Sequence, residues 1–112
     1  MTPEGKIKLQ IKLILKQYGA YYFMPVQGGR GAAGLDFHCA ILNEDANVAE
    51  AFFIEAKAPG KWPTPRQWDL IHRLRDEHHA RIFVIDSNEG LDQLTTFLMS
   101  KSYERTRQTA QG

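Results

Sequence analysis

The chain has 112 residues, of which 43% are hydrophobic and 24% charged. That size and mix fit one globular domain with a real core and exclude wholesale disorder. Its 14 Lys and Arg against 13 Asp and Glu leave a formal net charge of +1, which excludes a histone-like polybasic chain and a strongly acidic one, though not local patches.

Thr2-Pro3 predicts a helix start, a hydroxyl cap followed by proline at the first helical position. Ile7, Ile11, Ile14 and Tyr18 recur at helical spacing until Gly19, which predicts an amphipathic helix carrying Lys6, Lys8, Lys12 and Lys16. The aromatic run Ala20 to Met24 reads as a short strand stopped by Pro25. A small-residue loop, Gly28 to Gly34, leads into a second strand over Leu35 to Leu42. Asn43 to Asn47 is turn chemistry, and Val48 to Ala58 is the best central strand, ended by Pro59-Gly60.

Thr64-Pro65-Arg66-Gln67 repeats the Thr-Pro start, and Gln67 stands at the capping-box position. The helix it opens runs through Trp68, Ile71 and Leu74 to about His79. Arg81 to Ile85 reads as a short buried strand, and Ser87-Asn88 opens a last helix with Leu91, Leu94 and Leu98 on one face. The order is α-β-β-β-α-β-α. Adjacent strands predict hairpins and the final β-α-β predicts a parallel pair, so the expected class is α/β (α+β mixed), a mixed central sheet flanked by helices. One domain over 1–112 is expected, with 101–112 a polar tail.

Cys39 is the single cysteine, so no intrachain disulfide framework exists, and a zinc site is not expected. No apolar run approaches the roughly 20 residues of a membrane span, and the opening residues lack the apolar stretch of a signal peptide. These features predict an intracellular, cytoplasmic protein. The Gly28–Gly34 stretch lacks the Gly-Lys-Ser/Thr ending of a P-loop, so no nucleotide cofactor is expected.

The informative residues are Asp36, Glu55 and Lys57. Glu55 and Lys57 are two apart in a predicted strand, so they share one face in an otherwise apolar segment. A hairpin between the second and third strands brings Asp36 near Glu55. Two carboxylates, with the backbone carbonyl of Ala56, suit Mg²⁺ or Mn²⁺, which take oxygen ligands and keep several waters. Lys57 beside them suits a group that serves a water or stabilises charge on a phosphoryl transition state.

Leu35-Asp36 and Glu55-Ala56-Lys57, in this order, resemble the motifs of the PD-(D/E)XK nuclease superfamily. The glycine-rich approach to Asp36, the run Phe53 to Gly60, Pro63-Thr64-Pro65-Arg66-Gln67 at a helix start and the strand Ile82 to Ile85 are similar to a small, stand-alone VRR-NUC domain of phage or bacterial type. The similarity spans about Thr2 to Leu98. Leu35 stands where the superfamily's name implies proline, so that position departs from the pattern.

The resemblance implies a restriction-endonuclease-like core and metal-dependent hydrolysis of DNA phosphodiester bonds, with branched or junction DNA as a substrate class. It implies Asp36 and Glu55 as metal ligands, Lys57 serving the nucleophilic water, Gln67 as an orienting residue and Glu4 as the first-helix acid that joins the metal site. Arg30, Lys61 and Arg66 are the expected phosphate contacts, because a nuclease must hold an anionic backbone. A chain this short covers little DNA, so a homodimer is expected. A catalytically inactive nucleic-acid-binding domain of the same fold is the alternative.

Overall fold

The computed structural model describes residues 1–26 and 34–101. Arg30, most of the glycine-rich loop and the polar tail beyond Lys101 lie outside the described residues. The elements run α1 (Pro3–Gln17), β1 (Tyr21–Phe23), β2 (Phe37–Asn43), β3 (Val48–Ala56), α2 (Pro65–His78), β4 (Arg81–Ile85) and α3 (Asn88–Lys101). The element order matches the expectation from the sequence, with strand ends shifted by no more than two residues; β2 runs one residue further than expected and takes in Asn43.

Local chemistry sets the boundaries. Thr2 caps α1 by accepting the Gly5 N–H at 3.0 Å. In α2 both halves of a capping box form: Thr64 Oγ1 accepts the Gln67 N–H at 3.2 Å, and Gln67 Oε1 accepts the Thr64 N–H at 2.9 Å. His79 ends α2 in the left-handed region at φ 52°. In the β2–β3 turn, Asn43 Oδ1 accepts the Ala46 N–H at 3.3 Å, and Asn47 takes φ 54°.

The four strands form one sheet in the order β1-β2-β3-β4. The first three pair antiparallel and β3 pairs parallel with β4, the crossover being α2. Strand alternation then divides the apolar residues between two faces. Phe37, Cys39 and Ile41 of β2 with Phe52, Ile54 and Ala56 of β3 join Ile11 and Leu15 of α1 and Leu91, Leu94 and Leu98 of α3 in the main core. Burial pushes the Cys39 thiol up to about 12. On the opposite face α2 covers a smaller cluster, Leu35, Ile71 and Ile82, with Trp68 and Leu74 packed against it. Trp68 thus serves as packing, as its helical spacing suggests.

Gly90 lets α3 pack closely on the end of β4. A Cβ there would lie 3.1 Å from Ile85 Cγ2 and 3.2 Å from Ile85 Cα, so no larger side chain fits without a shift. Among the described residues, no helix is long and apolar enough to cross a membrane.

Candidate metal centre

The pairing register sets the site. Phe37 lies opposite Ile54 at the end of the β2–β3 ladder, and one step further places Asp36, in the bend before β2, opposite Glu55. Reciprocal hydrogen bonds fix this arrangement. The Asp36 N–H donates to Glu55 Oε1 at 3.2 Å, and the Ala56 N–H donates to Asp36 Oδ2 at 2.8 Å. The N–H and C=O of an extended residue point to the same side, so the Ala56 carbonyl faces the Asp36 side of β3 as well.

Lys57 continues the strand's direction, its N–H donating to the Ile85 carbonyl at 2.9 Å. Its Nζ lies 3.5 Å from Glu55 Oε2, as same-face spacing requires. Beyond Lys57 the chain turns at Gly60, which takes φ +79° and donates its N–H to Asp86 Oδ2 at 3.3 Å. This ties the loop after β3 to the loop after β4.

Glu55 is the buried charged side chain among the described residues, with a relative exposure of 1%. Burial, then the hydrogen bond and charge of Asp36, push its carboxyl up from 4.5 to about 8 against the pull of Lys57. Near neutral pH and without a cation, the Asp36–Glu55 pair therefore holds a proton. A divalent cation would remove the need for it by supplying the missing positive charge.

Lys8 is the participant that sequence reasoning missed. Its Nζ lies 3.5 Å from Asp36 Oδ1 and 3.4 Å from Glu4 Oε2. Burial lowers its pKa, but the Asp36 and Glu4 carboxylates outweigh that and hold the ammonium above its ordinary value. Glu4 thus approaches the centre through Lys8, a tethered cation between two acids. The signal was present: Glu4 and Lys8 are four apart on one helix face.

Lys61 is exposed in the loop after β3, and Arg66 is exposed in the first turn of α2. Gln67 has its carbonyl oxygen engaged by the helix cap, which leaves its amide NH₂ as the end available for a second partner. Arg75, in the last turn of α2, donates Nη2 to the Ile82 carbonyl at 2.9 Å.

Among the described residues, no three His, Cys, Asp or Glu side chains group to hold a metal ion. The set that converges is two carboxylates and one carbonyl, all oxygen. It does not suit a structural zinc, which wants four nitrogen or sulfur ligands. It does suit Mg²⁺ or Mn²⁺, which retain waters in place of further protein ligands. No family model matches the chain, and no curated protein matches it.

Proposed function

We propose that this chain is a Mg²⁺- or Mn²⁺-dependent nuclease that hydrolyses DNA phosphodiester bonds. The observation that carries this reading is the Asp36–Glu55–Lys57 cluster. Two opposed carboxylates and an ammonium meet at the end of an internal strand, with the acid buried and short of positive charge. The resemblance of Leu35-Asp36 and Glu55-Ala56-Lys57 to the PD-(D/E)XK pattern, and of the whole chain to a VRR-NUC domain, points the same way. The mixed sheet flanked by helices is compatible with the restriction-endonuclease-like core that the resemblance implies.

Asp36, Glu55 and the Ala56 carbonyl would hold the cation, with Glu4 joining once Lys8 moves aside. Bound there, the cation supplies Lewis-acid polarisation of a phosphoryl oxygen and a more acidic water. Lys57 Nζ serves the attacking water or stabilises the charge that builds on the phosphoryl oxygens. Hydrolysis adds that water's oxygen to phosphorus, breaks one P–O ester bond and leaves a proton for the departing oxygen. The Gln67 amide NH₂ would hold water or a phosphate oxygen, and Lys61 and Arg66 would supply phosphate contacts.

The test is cleavage of supercoiled, linear and branched DNA with Mg²⁺ or Mn²⁺ and with EDTA. Wild type should cut only with metal, and Lys57→Ala should slow cutting about 10²-fold or more. Equal cutting by the variant would overturn the role of Lys57. Binding without cutting on every substrate would favour an inactive nucleic-acid-binding domain.

A further inference from the structure

On the α2 side, the sheet is covered only in part. Three rings cross its open region in register, one from each antiparallel strand: Phe23 pairs with His38, and His38 pairs with Phe53. Phe23 and His38 meet edge to face at 6.4 Å and 72°, and His38 and Phe53 at 5.1 Å and 81°. Phe23 is 53% exposed, His38 is exposed, and Phe53 is half-buried. Phe53 packs against the Leu35, Ile71 and Ile82 cluster, but Phe23, at the end of the edge strand β1, joins neither core cluster, so its exposure has no role in packing that its position explains.

Two further observations bear on its occupant. Phe53 also lines an open cleft of about 800 Å³ between the end of α2 and the starts of β3 and β4, floored by Ala49 and Ala51. Arg75, His78 and His79 line the same cleft, while Arg81 borders it with its guanidinium turned to the α3 side, 4.8 Å over the Phe97 ring. Its one acid, Glu50, is paired with Lys101 at 2.7 Å. Glu55 lies two residues beyond Phe53 on the same face, about 7 Å along the strand.

We propose that this row and cleft form a binding site for unpaired bases of single-stranded DNA, which stack on Phe23 and His38 while their phosphates run along Arg75, His78 and His79 at the end of α2. Flat rings exposed on a sheet beside a cationic groove suit single strands, whose bases are free to stack. A duplex keeps its bases paired inside and gains nothing from such a surface. A second copy of this chain docked face to face would bring two cationic clefts towards each other. The proposal rests on the nuclease reading for its biological sense, since it places an unpaired strand beside Glu55.

The test is fluorescence anisotropy in EDTA, with a labelled oligothymidylate and a labelled hairpin duplex as probes. Phe23→Ala and His38→Ala should each weaken oligothymidylate binding about tenfold while duplex binding moves by less than about twofold. Phe23→Trp should restore it, and circular dichroism should show all variants folded. Arg75→Gln should flatten the salt dependence of oligothymidylate binding.

Equal losses for both probes, no loss for either, or no oligothymidylate binding by wild type would overturn the proposal. So would sedimentation showing a wild-type dimer that Phe23→Ala dissociates, which would assign the face to self-association. Metal-dependent cutting by wild type, assayed in parallel, separates the two ideas. Cutting with an unchanged Phe23→Ala profile sinks the base platform alone, and selective loss of single-strand binding without any cutting sinks the nuclease reading alone.

Discussion

Asp36 and Glu55 hold each other through the backbone as well as through charge: the Asp36 N–H reaches Glu55 Oε1 at 3.2 Å, and the N–H of Ala56 reaches Asp36 Oδ2 at 2.8 Å. Each carboxylate therefore has a structural duty, fastening the mouth of the β2–β3 hairpin, in addition to any chemical one. Substitutions at these positions separate the two duties only when the hydrogen-bonding oxygen is kept.

Asp36→Asn keeps an acceptor for the Ala56 N–H, whereas Asp36→Ala leaves that part-buried donor unpaired. Urea denaturation should show Asp36→Ala about 1–2 kcal/mol less stable than Asp36→Asn. Calorimetric titration with Mn²⁺ should show lost binding in both. Retained Mn²⁺ heat in Asp36→Asn would remove Asp36 from the ligand set.

The metal-free protein should lose stability as pH rises from about 5 to 8. The Glu55 carboxyl is raised from 4.5 to about 8, so over that interval the folded chain keeps a proton that the unfolded chain has released. The contribution is full below the unfolded value and disappears as pH passes the folded one. Its size is on the order of a few kcal/mol, since the side chain is almost wholly enclosed. Denaturation midpoints in EDTA across this range should fall for wild type and stay flatter for Glu55→Gln. With saturating Mn²⁺ the trend should reverse, because the cation displaces the proton.

Lys8→Met should bind Mn²⁺ more tightly than wild type, by about two- to fivefold. Its ammonium pairs with Asp36 at 3.5 Å and so competes for the same carboxylate. Calorimetry at fixed ionic strength measures this directly, and weaker binding in the variant would show that Lys8 supports the centre instead of competing for it.

Gln67→Glu preserves the capping box, because glutamate accepts the Thr64 N–H equally well, but it removes the amide donors. Thermal unfolding should therefore change little, while DNA cleavage falls about tenfold or more if those donors hold water or phosphate. Gln67→Ala should cost about 1 kcal/mol of stability as well. Unchanged cleavage by Gln67→Glu would confine the residue to the cap.

Much of this arrangement was legible because it depends on local rules. Thr2 and Thr64 announce their helices, and the Asn43–Asn47 turn fixes the hairpin register that sets Asp36 opposite Glu55. Glu55 and Lys57 share a face through strand alternation alone. Lys8 was not legible as part of the centre, because its contact with Asp36 depends on how α1 packs across the sheet. The depth of Glu55 was hidden for the same reason, since burial belongs to the assembled layers and not to the strand. The row Phe23–His38–Phe53 needed the register of two strand pairs at once.

The strand that carries Glu55 and ends beside Lys57 has a neighbour on each side, β2 on one and β4 on the other. Local opening of a fold begins at edges, loops and termini, and reaches a strand held on both sides last. The amides of Ile54 to Ala56 should thus be among the slowest to exchange with deuterated solvent, released only when the whole domain opens. The proposed chemistry would then sit on a strand held on both sides, and any adaptation to a substrate would fall to α1, which carries Glu4 and Lys8, and to the exposed loop after Lys57.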